Sequence, residues 1–111
     1  MPKFLFLYRS APPTKMPSPE EMQVVLKNWM DWIGKYVASG QMVDGGDGLQ
    51  HTGKVVKNGV VSDGPFMEAK EIIGGYSIVS TENYDQAAAI ALECPANHEG
   101  GSVEIRELAG Y

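Results

Sequence analysis

The first strand-like segment, residues 4–8, is apolar at every position, and this limits the folds open to the chain. Successive strand side chains point to opposite faces, so Phe4, Phe6 and Tyr8 share one face while Leu5 and Leu7 share the other. An antiparallel sheet with one solvated face normally shows polar residues on that face. The segment therefore predicts a strand that is covered on both sides.

Two helical patterns separate the strand-like segments. Ser18 is a predicted N-cap, with Pro19 at the first helical position and Glu21 at the capping-box position. Apolar residues then recur at helical spacing as far as Gly40, a natural helix end. Asn83 is the predicted cap of a second helix that ends before the proline at position 95.

The segment between the helices predicts extended structure with tight turns. A short strand is predicted over residues 41–44, and the glycine-rich residues 45–48 are expected to end it. Extended structure is expected to resume at Leu49. Asn58 and Gly59 stand between valine-containing segments and predict a type I′ hairpin. Further strands are predicted over residues 76–80 and 102–107.

The resulting order, β-α-β(β)-β-α-β, predicts an α+β, ferredoxin-like βαββαβ fold with an extra hairpin and a mostly antiparallel sheet. A length of 111 residues indicates a single domain over residues 1–111. Both helices are expected on one face, which leaves no third layer for the other. A second copy of the chain is the simplest cover, so we predict a homodimer. Alternatively, the first strand is central and the hairpin and loops cover it.

Composition argues against several classes of partner. The net charge is -5, and the nine Lys and Arg residues form no basic cluster, so neither nucleic acid nor an anionic membrane is an expected partner. No window has the apolar length of a signal peptide or a membrane span. The single cysteine, Cys94, excludes an internal disulfide and a cysteine metal cluster, and it is expected to be a buried thiol. We expect a cytoplasmic protein.

The segment from Asp63 to Tyr76 carries the densest set of ionisable groups. Asp63 and Glu68 flank Phe66, and a carboxylate near an aromatic ring can act as a general acid or base. The other interpretation of Asp63 is that it caps the turn at residues 64–65. Lys70 has a functional role only if it faces an anionic ligand.

Histidines and arginines supply the remaining candidates. His51 and His98 are the two acid–base candidates near neutral pH, although exposed loop histidines are more frequent. Their separation lacks metal-ligand spacing, and no glycine-rich nucleotide fingerprint is present, so no metal and no cofactor are predicted. Arg9 and Arg106, on the first and last strands, are candidates for binding a carboxylate. The alternative for Arg106 is a cross-strand pair with a glutamate.

The segment DGPFMEAKEIIGGY at 63–76 resembles the signature of the YCII-related, or DGPF-domain, family. The segments SPEEM at 18–22, GLQ at 48–50, CP at 94–95 and GGSVEIR at 100–106 extend the resemblance over nearly the whole chain. One departure is Glu107, which stands where the family pattern ends in proline.

The resemblance implies a ferredoxin-like subunit that dimerises into an α/β barrel, in a family whose biochemical function is largely undefined. A related YCII branch has a proposed His–Asp pair with its histidine in the first helix. Residues 19–40 contain no histidine, so this role is not transferred. The family includes a relative of dehydrochlorinases, and similar barrels host muconolactone isomerases and monooxygenases. Many members occur beside extracytoplasmic-function sigma factors.

Three functional hypotheses follow. The first is a dimeric module that binds or senses a small aromatic or anionic molecule in a cleft near the 63–76 segment. The second is a cofactor-free enzyme performing proton transfer or elimination, and the third is a structural or partner-binding subunit. The candidate site residues are Asp63 and Glu68 as acid or base, with Tyr8, Arg9, His51, Phe66, Lys70, Tyr76 and Arg106 around the ligand.

Overall fold

The computed structural model describes residues 1–11, 17–64, 72–98 and 100–111. The elements in this part of the chain, in order, are β1 (Lys3–Ser10), α1 (Pro19–Ala38), β2 (Met42–Gly48), β3 (Gly53–Lys57), β4 (Val60–Gly64), β5 (Ile72–Ser80), α2 (Tyr84–Leu92), a 3₁₀ turn (Pro95–His98) and β6 (Ser102–Glu107). None of the described helices is long and apolar enough to cross a membrane.

Four strands form the main sheet in the order β2-β5-β1-β6, with antiparallel pairing throughout. β1 is therefore an inner strand, with Phe4 opposite Val79 and Phe6 opposite Ser77 of β5. Among the described residues, β3 and β4 pair with each other alone, as a separate hairpin. This arrangement confirms the predicted α+β, ferredoxin-like fold with an extra hairpin.

Both helices pack on the sheet face that carries Phe4 and Phe6. The Phe6 and Trp32 ring centroids are 6.4 Å apart, and Phe4 meets Tyr84 of α2 edge-to-face at 4.7 Å. The Trp32 indole N–H donates to the Ile90 carbonyl oxygen at 3.1 Å, which ties α1 to α2. The buried apolar residues of this core are Phe4, Phe6, Trp32, Tyr36, Met42, Val79, Ala87, Ile90, Ala91, Cys94 and Ala96.

Local signals in the sequence correspond closely to the structure. The Ser18 hydroxyl accepts from the Glu21 amide at 3.1 Å, and the Asn83 side chain accepts from the Gln86 amide at 2.9 Å. Both predicted N-caps are therefore confirmed. The predicted hairpin turn is confirmed as well, because Asn58 and Gly59 both have the positive φ angles that a type I′ turn needs.

The prediction that the glycine-rich run ends its strand is wrong. β2 continues to Gly48, with Asp44 opposite Ile78 and Asp47 opposite Tyr76, so β2 holds one residue more than β5 between these pairs. This is a β-bulge, and Gly46 with φ +70 allows it. The predicted return to extended structure at Leu49 is four residues too early, since β3 begins at Gly53.

The second face of the sheet carries the other residues of β1. Leu5 lies opposite Ile78 and Leu7 opposite Tyr76, and all four residues are half-buried. No described helix packs on this face. We refer to it below as the open face.

Candidate functional site

An open groove lies between the N-terminal half of α1 and the edge formed by β2 and β5. Its volume is about 910 Å³. We call it the Trp29 groove. The α1 side is apolar, the opposite side is formed by the glycine-rich strand, and Tyr8 borders the groove as well. Its lining includes Tyr8, Met22, Val25, Leu26, Trp29, Met30, Ile33, Gly45, Gly46 and Asp47.

The apolar stripe of α1 divides between the core and this groove. Trp32 and Tyr36 are buried, whereas Met22, Leu26 and Met30 stay 42%, 53% and 71% exposed. Contiguous exposed apolar surface is uncommon on soluble proteins and marks interaction sites. The first turns of α1 therefore present apolar surface to the groove instead of burying it.

Tyr8 and Trp29 form an aromatic wall. Their ring centroids are 4.8 Å apart with an interplanar angle of 78°, an edge-to-face contact. Trp32 supports both rings from the core, at 6.2 Å from Tyr8 and 5.9 Å from Trp29. Edge-to-face pairs add to the stability that burial alone provides, so the wall is held in place before any ligand arrives.

A hydrogen-bond chain connects Tyr8 to the glycine-rich strand. The Tyr8 hydroxyl donates to Ser77 Oγ at 2.7 Å, and Ser77 Oγ donates to the Gly45 carbonyl oxygen at 2.7 Å. Ser77 is fully buried. Burial raises the pKa of Tyr8 well above its ordinary value of 10.0, so its hydroxyl stays protonated to higher pH than that of an exposed tyrosine.

The bulge in β2 shapes the opposite wall. The Asp44 carboxylate accepts from the Gly46 amide at 2.8 Å, and the Asp47 carboxylate accepts from the Gly48 amide at 2.8 Å. A Cβ atom at Gly46 would overlap the Tyr76 carbonyl group. Bulges often re-aim backbone and side chains beside functional sites. Here the bulge leaves a wall of bare backbone next to the aromatic side.

Comparison with known proteins agrees with the motifs found in the sequence. The model of the YCII-related domain family matches residues 3–109. The chain belongs to this family. A YCII-related match of this extent covers the groove, the sheet and both helices.

One curated relative is the uncharacterized protein R00369 of Rhizobium meliloti (strain 1021). It is 40% identical to this YCII-related chain over 53 residues, which are 47% of this chain and 43% of the relative. The matched part is thus less than half of that relative's length.

Four of the predicted ligand-binding residues border the Trp29 groove in this YCII-related protein: Tyr8, Arg9, His51 and Tyr76. The Arg9 guanidinium is bound by Glu104, with Nε to Oε1 at 3.0 Å. Tyr76 pairs with Leu7, so strand alternation places its side chain on the open face. His51 also borders a smaller notch beside the hairpin.

Two further predicted residues lie away from the groove. Asp63 is on β4 and pairs with Lys54 across the hairpin, and its carboxylate side chain is 90% exposed. Arg106 Nη1 lies 3.5 Å from Glu104 Oε2. That glutamate is on the same strand, so the contact is not the cross-strand pair considered above.

The remaining predicted residues are not placed by the structure. Phe66, Glu68 and Lys70 lie outside the described residues, and their roles stay predictions. His98 is described and is exposed at the end of the 3₁₀ turn. In the described ranges, no group of three His, Cys, Asp or Glu side chains has a metal-binding arrangement.

Sequence reasoning identified neither Ser77 nor Trp29 as a site residue. A signal for Ser77 was present, because it shares the buried face of β5 with Val79. A polar side chain in such a position needs a hydrogen-bond partner. The identity of that partner, Tyr8, depends on strand pairing and cannot be obtained from local pattern.

Proposed function

We propose that this YCII-related protein is a small-molecule-binding or sensing module whose Trp29 groove holds a planar, mainly apolar ligand. The observation that carries the proposal is the aromatic wall of Tyr8 and Trp29 facing an open space of about 910 Å³. Ligand sites are typically concave, mostly apolar and roughly 300–1,000 Å³ in volume. The groove has these properties within one chain.

The two sides of the groove suit a flat ring. An aromatic ligand stacks on, or meets edge-on, the rings of Tyr8 and Trp29. On the other side, Gly45 and Gly46 lack side chains, so a ligand ring can approach the backbone closely. A ligand there also covers the exposed apolar surface of α1, which stabilises the complex by removing that surface from water.

Charge contributes little to this binding. The Arg9 guanidinium is already paired with Glu104, and the Asp47 carboxylate already accepts from the Gly48 amide. We therefore propose a ligand held by ring contacts and apolar burial rather than by an arginine clamp. The acid–base alternative stays a prediction, since Asp63 lies on the hairpin and Glu68 lies outside the described residues.

The test is calorimetric titration of the protein with 2-naphthol, a fused aromatic probe. Trp29→Ala removes the larger ring of the wall and is expected to weaken binding about tenfold, as an aromatic contact of about 1–1.5 kcal/mol predicts. Val24→Ala is the matched control, because Val24 lies on the same helix and is 60% exposed outside the groove. Binding that is absent in the wild type, or equally affected by both variants, would overturn the proposal.

We also propose that the protein is a homodimer formed through the open face. Leu5, Leu7 and Ile78 form an apolar centre on this face, with Arg9, Glu104 and Arg106 as its charged margin. An apolar centre with a polar rim is the usual anatomy of a protein interface. The Trp29 groove is next to the helices, so one strand, β1, serves both surfaces.

A further inference from the structure

The hydrogen-bond chain beside the groove has only one possible direction. The Gly45 carbonyl oxygen can only accept, so the single hydroxyl proton of Ser77 is donated to it. Ser77 then has no proton left for Tyr8. The contact between the two hydroxyls at 2.7 Å therefore requires Tyr8 to be the donor.

This direction decides what Tyr8 can offer to a ligand. Its one proton is engaged by Ser77, which is fully buried, so the Tyr8 oxygen keeps only acceptor lone pairs. Tyr8 and Gly45 both border the groove, whereas Ser77 does not. A ligand that reaches the Tyr8 oxygen from the groove thus meets an acceptor there.

We propose that the Trp29 groove selects planar aromatic ligands that carry a hydrogen-bond donor, a phenolic O–H or an aromatic N–H, directed at Tyr8 Oη. This specificity rests on the proposed ligand-binding function and refines it. A ligand that presents only a carbonyl, ether or carboxylate oxygen to Tyr8 finds no proton there.

The chain also strengthens the contact with such a donor. A ligand O–H bound to Tyr8 extends the sequence Tyr8 to Ser77 to Gly45 without reversing any of its bonds. Hydrogen bonds in a chain of one direction polarise one another cooperatively. A ligand that presents an acceptor to Tyr8 does require a bond of the chain to be broken, because Tyr8 must first give up its hydrogen bond to a buried serine.

The experiment compares 2-naphthol with 2-methoxynaphthalene, which has the same ring but no donor. The wild type is expected to bind 2-naphthol about fivefold to tenfold more tightly, the effect of one net hydrogen bond. Ser77→Ala leaves the aromatic wall intact and frees the Tyr8 proton. The ratio of the affinities for 2-naphthol and 2-methoxynaphthalene should therefore fall toward one. Tyr8→Phe removes the acceptor and should abolish the preference too. Trp29→Phe, which keeps the chain, should retain it.

The possible outcomes separate this inference from the proposed function. If neither probe binds, the ligand-binding proposal fails, and the donor preference fails with it. If both probes bind the wild type equally, groove binding stands and the donor preference is overturned. A preference that persists unchanged in folded Tyr8→Phe also overturns it, because the donor must then contact another group. A preference that persists unchanged in folded Ser77→Ala overturns it as well, because the bond to Ser77 then does not determine what Tyr8 offers to a ligand. Circular dichroism establishes whether each variant is folded. If one variant is not, the comparison of the two probes on the wild type still tests the donor preference.

Discussion

Tyr8 joins the sheet, the groove and the core in one side chain. Its ring meets Trp29 on the groove side, and its hydroxyl reaches the buried Ser77. Desolvation is the largest cause of its raised pKa, and the bond to Ser77 only partly opposes it. The folded protein therefore holds the Tyr8 proton more tightly than the unfolded chain does.

This difference makes stability depend on pH in a defined range. In the unfolded chain Tyr8 ionises near its ordinary pKa of 10.0, whereas in the folded protein it ionises at higher pH. The contribution of Tyr8 to the free energy of unfolding is complete below pH 10. It is lost as pH rises above that value, because the unfolded state releases the Tyr8 proton first. We expect the free energy of unfolding to fall above pH 10 by up to about 1.4 kcal/mol per pH unit from this group.

Urea denaturation between pH 9 and 11 measures this slope. Tyr8→Phe should show a shallower decline, whatever its stability at neutral pH, because the titrating group is gone. Tyr111→Phe is the control, since Tyr111 is fully exposed and removing its hydroxyl leaves the Tyr8 environment unchanged. A decline of equal slope in wild type and Tyr8→Phe would show that Tyr8 does not titrate differently on folding.

Individual site residues were predictable only where local pattern reveals them. Tyr8 was found because aromatic residues alternate with leucines through residues 4–8, a pattern visible in the sequence. The link from Tyr8 to Ser77 joins positions 69 residues apart, and it exists only through the pairing of β1 with β5. The Lys54–Asp63 pair likewise depends on hairpin register, which is why the predicted role of Asp63 could not anticipate its exposed position.

At the scale of elements, the bulge of β2 is the feature that most directly shapes the groove. Gly46 combines φ +70 with a backbone approach so close that a Cβ atom would overlap the Tyr76 carbonyl oxygen. Gly40, at the end of α1, also has a positive φ of +81 but has open space around the Cβ position. Substitutions at these two glycines therefore distinguish the cost of conformational strain from the cost of steric overlap.

Gly46→Ala is expected to destabilise the protein by more than about 3 kcal/mol, since left-handed strain and a clash with the Tyr76 backbone act together. Gly40→Ala should cost only about 1–2 kcal/mol, the penalty of a left-handed conformation for alanine. Chemical denaturation of both variants measures the difference. Equal costs would mean that the strand pair opens without penalty and that the bulge is not a rigid wall.

Elements with local determinants were predicted, and the bulge was not. Ser18, Asn83 and the Asn58-Gly59 turn act on their own immediate backbone, so their neighbours in sequence suffice to identify them. Residues 45–48 look like a strand end because glycine is a poor strand former. Their place in the sheet depends instead on the register with β5, which is a non-local property.

At the scale of the whole molecule, the two faces of the sheet have separate tasks in our proposal. The helices and the Trp29 groove occupy the face of Phe4, Phe6 and Tyr8, and the open face carries Leu5 and Leu7 from the same strand. Because neighbouring residues of β1 point to opposite faces, dimerisation can be perturbed without touching the groove. This permits a test that separates assembly from ligand binding.

Leu7→Asp places a charge at the centre of the open face and should convert a dimer to monomers, because an unpaired charge at a buried interface is strongly unfavourable. Leu92→Asp is the matched control, since Leu92 lies on α2 and is 73% exposed. Light scattering coupled to size-exclusion chromatography gives the mass of each variant, with circular dichroism to establish folding.

A folded Leu7→Asp monomer should still bind 2-naphthol, since Tyr8 and Trp29 lie on the other face. A wild type that is monomeric at all accessible concentrations would refute the dimer, and loss of 2-naphthol binding in folded Leu7→Asp would mean that the groove needs the second copy.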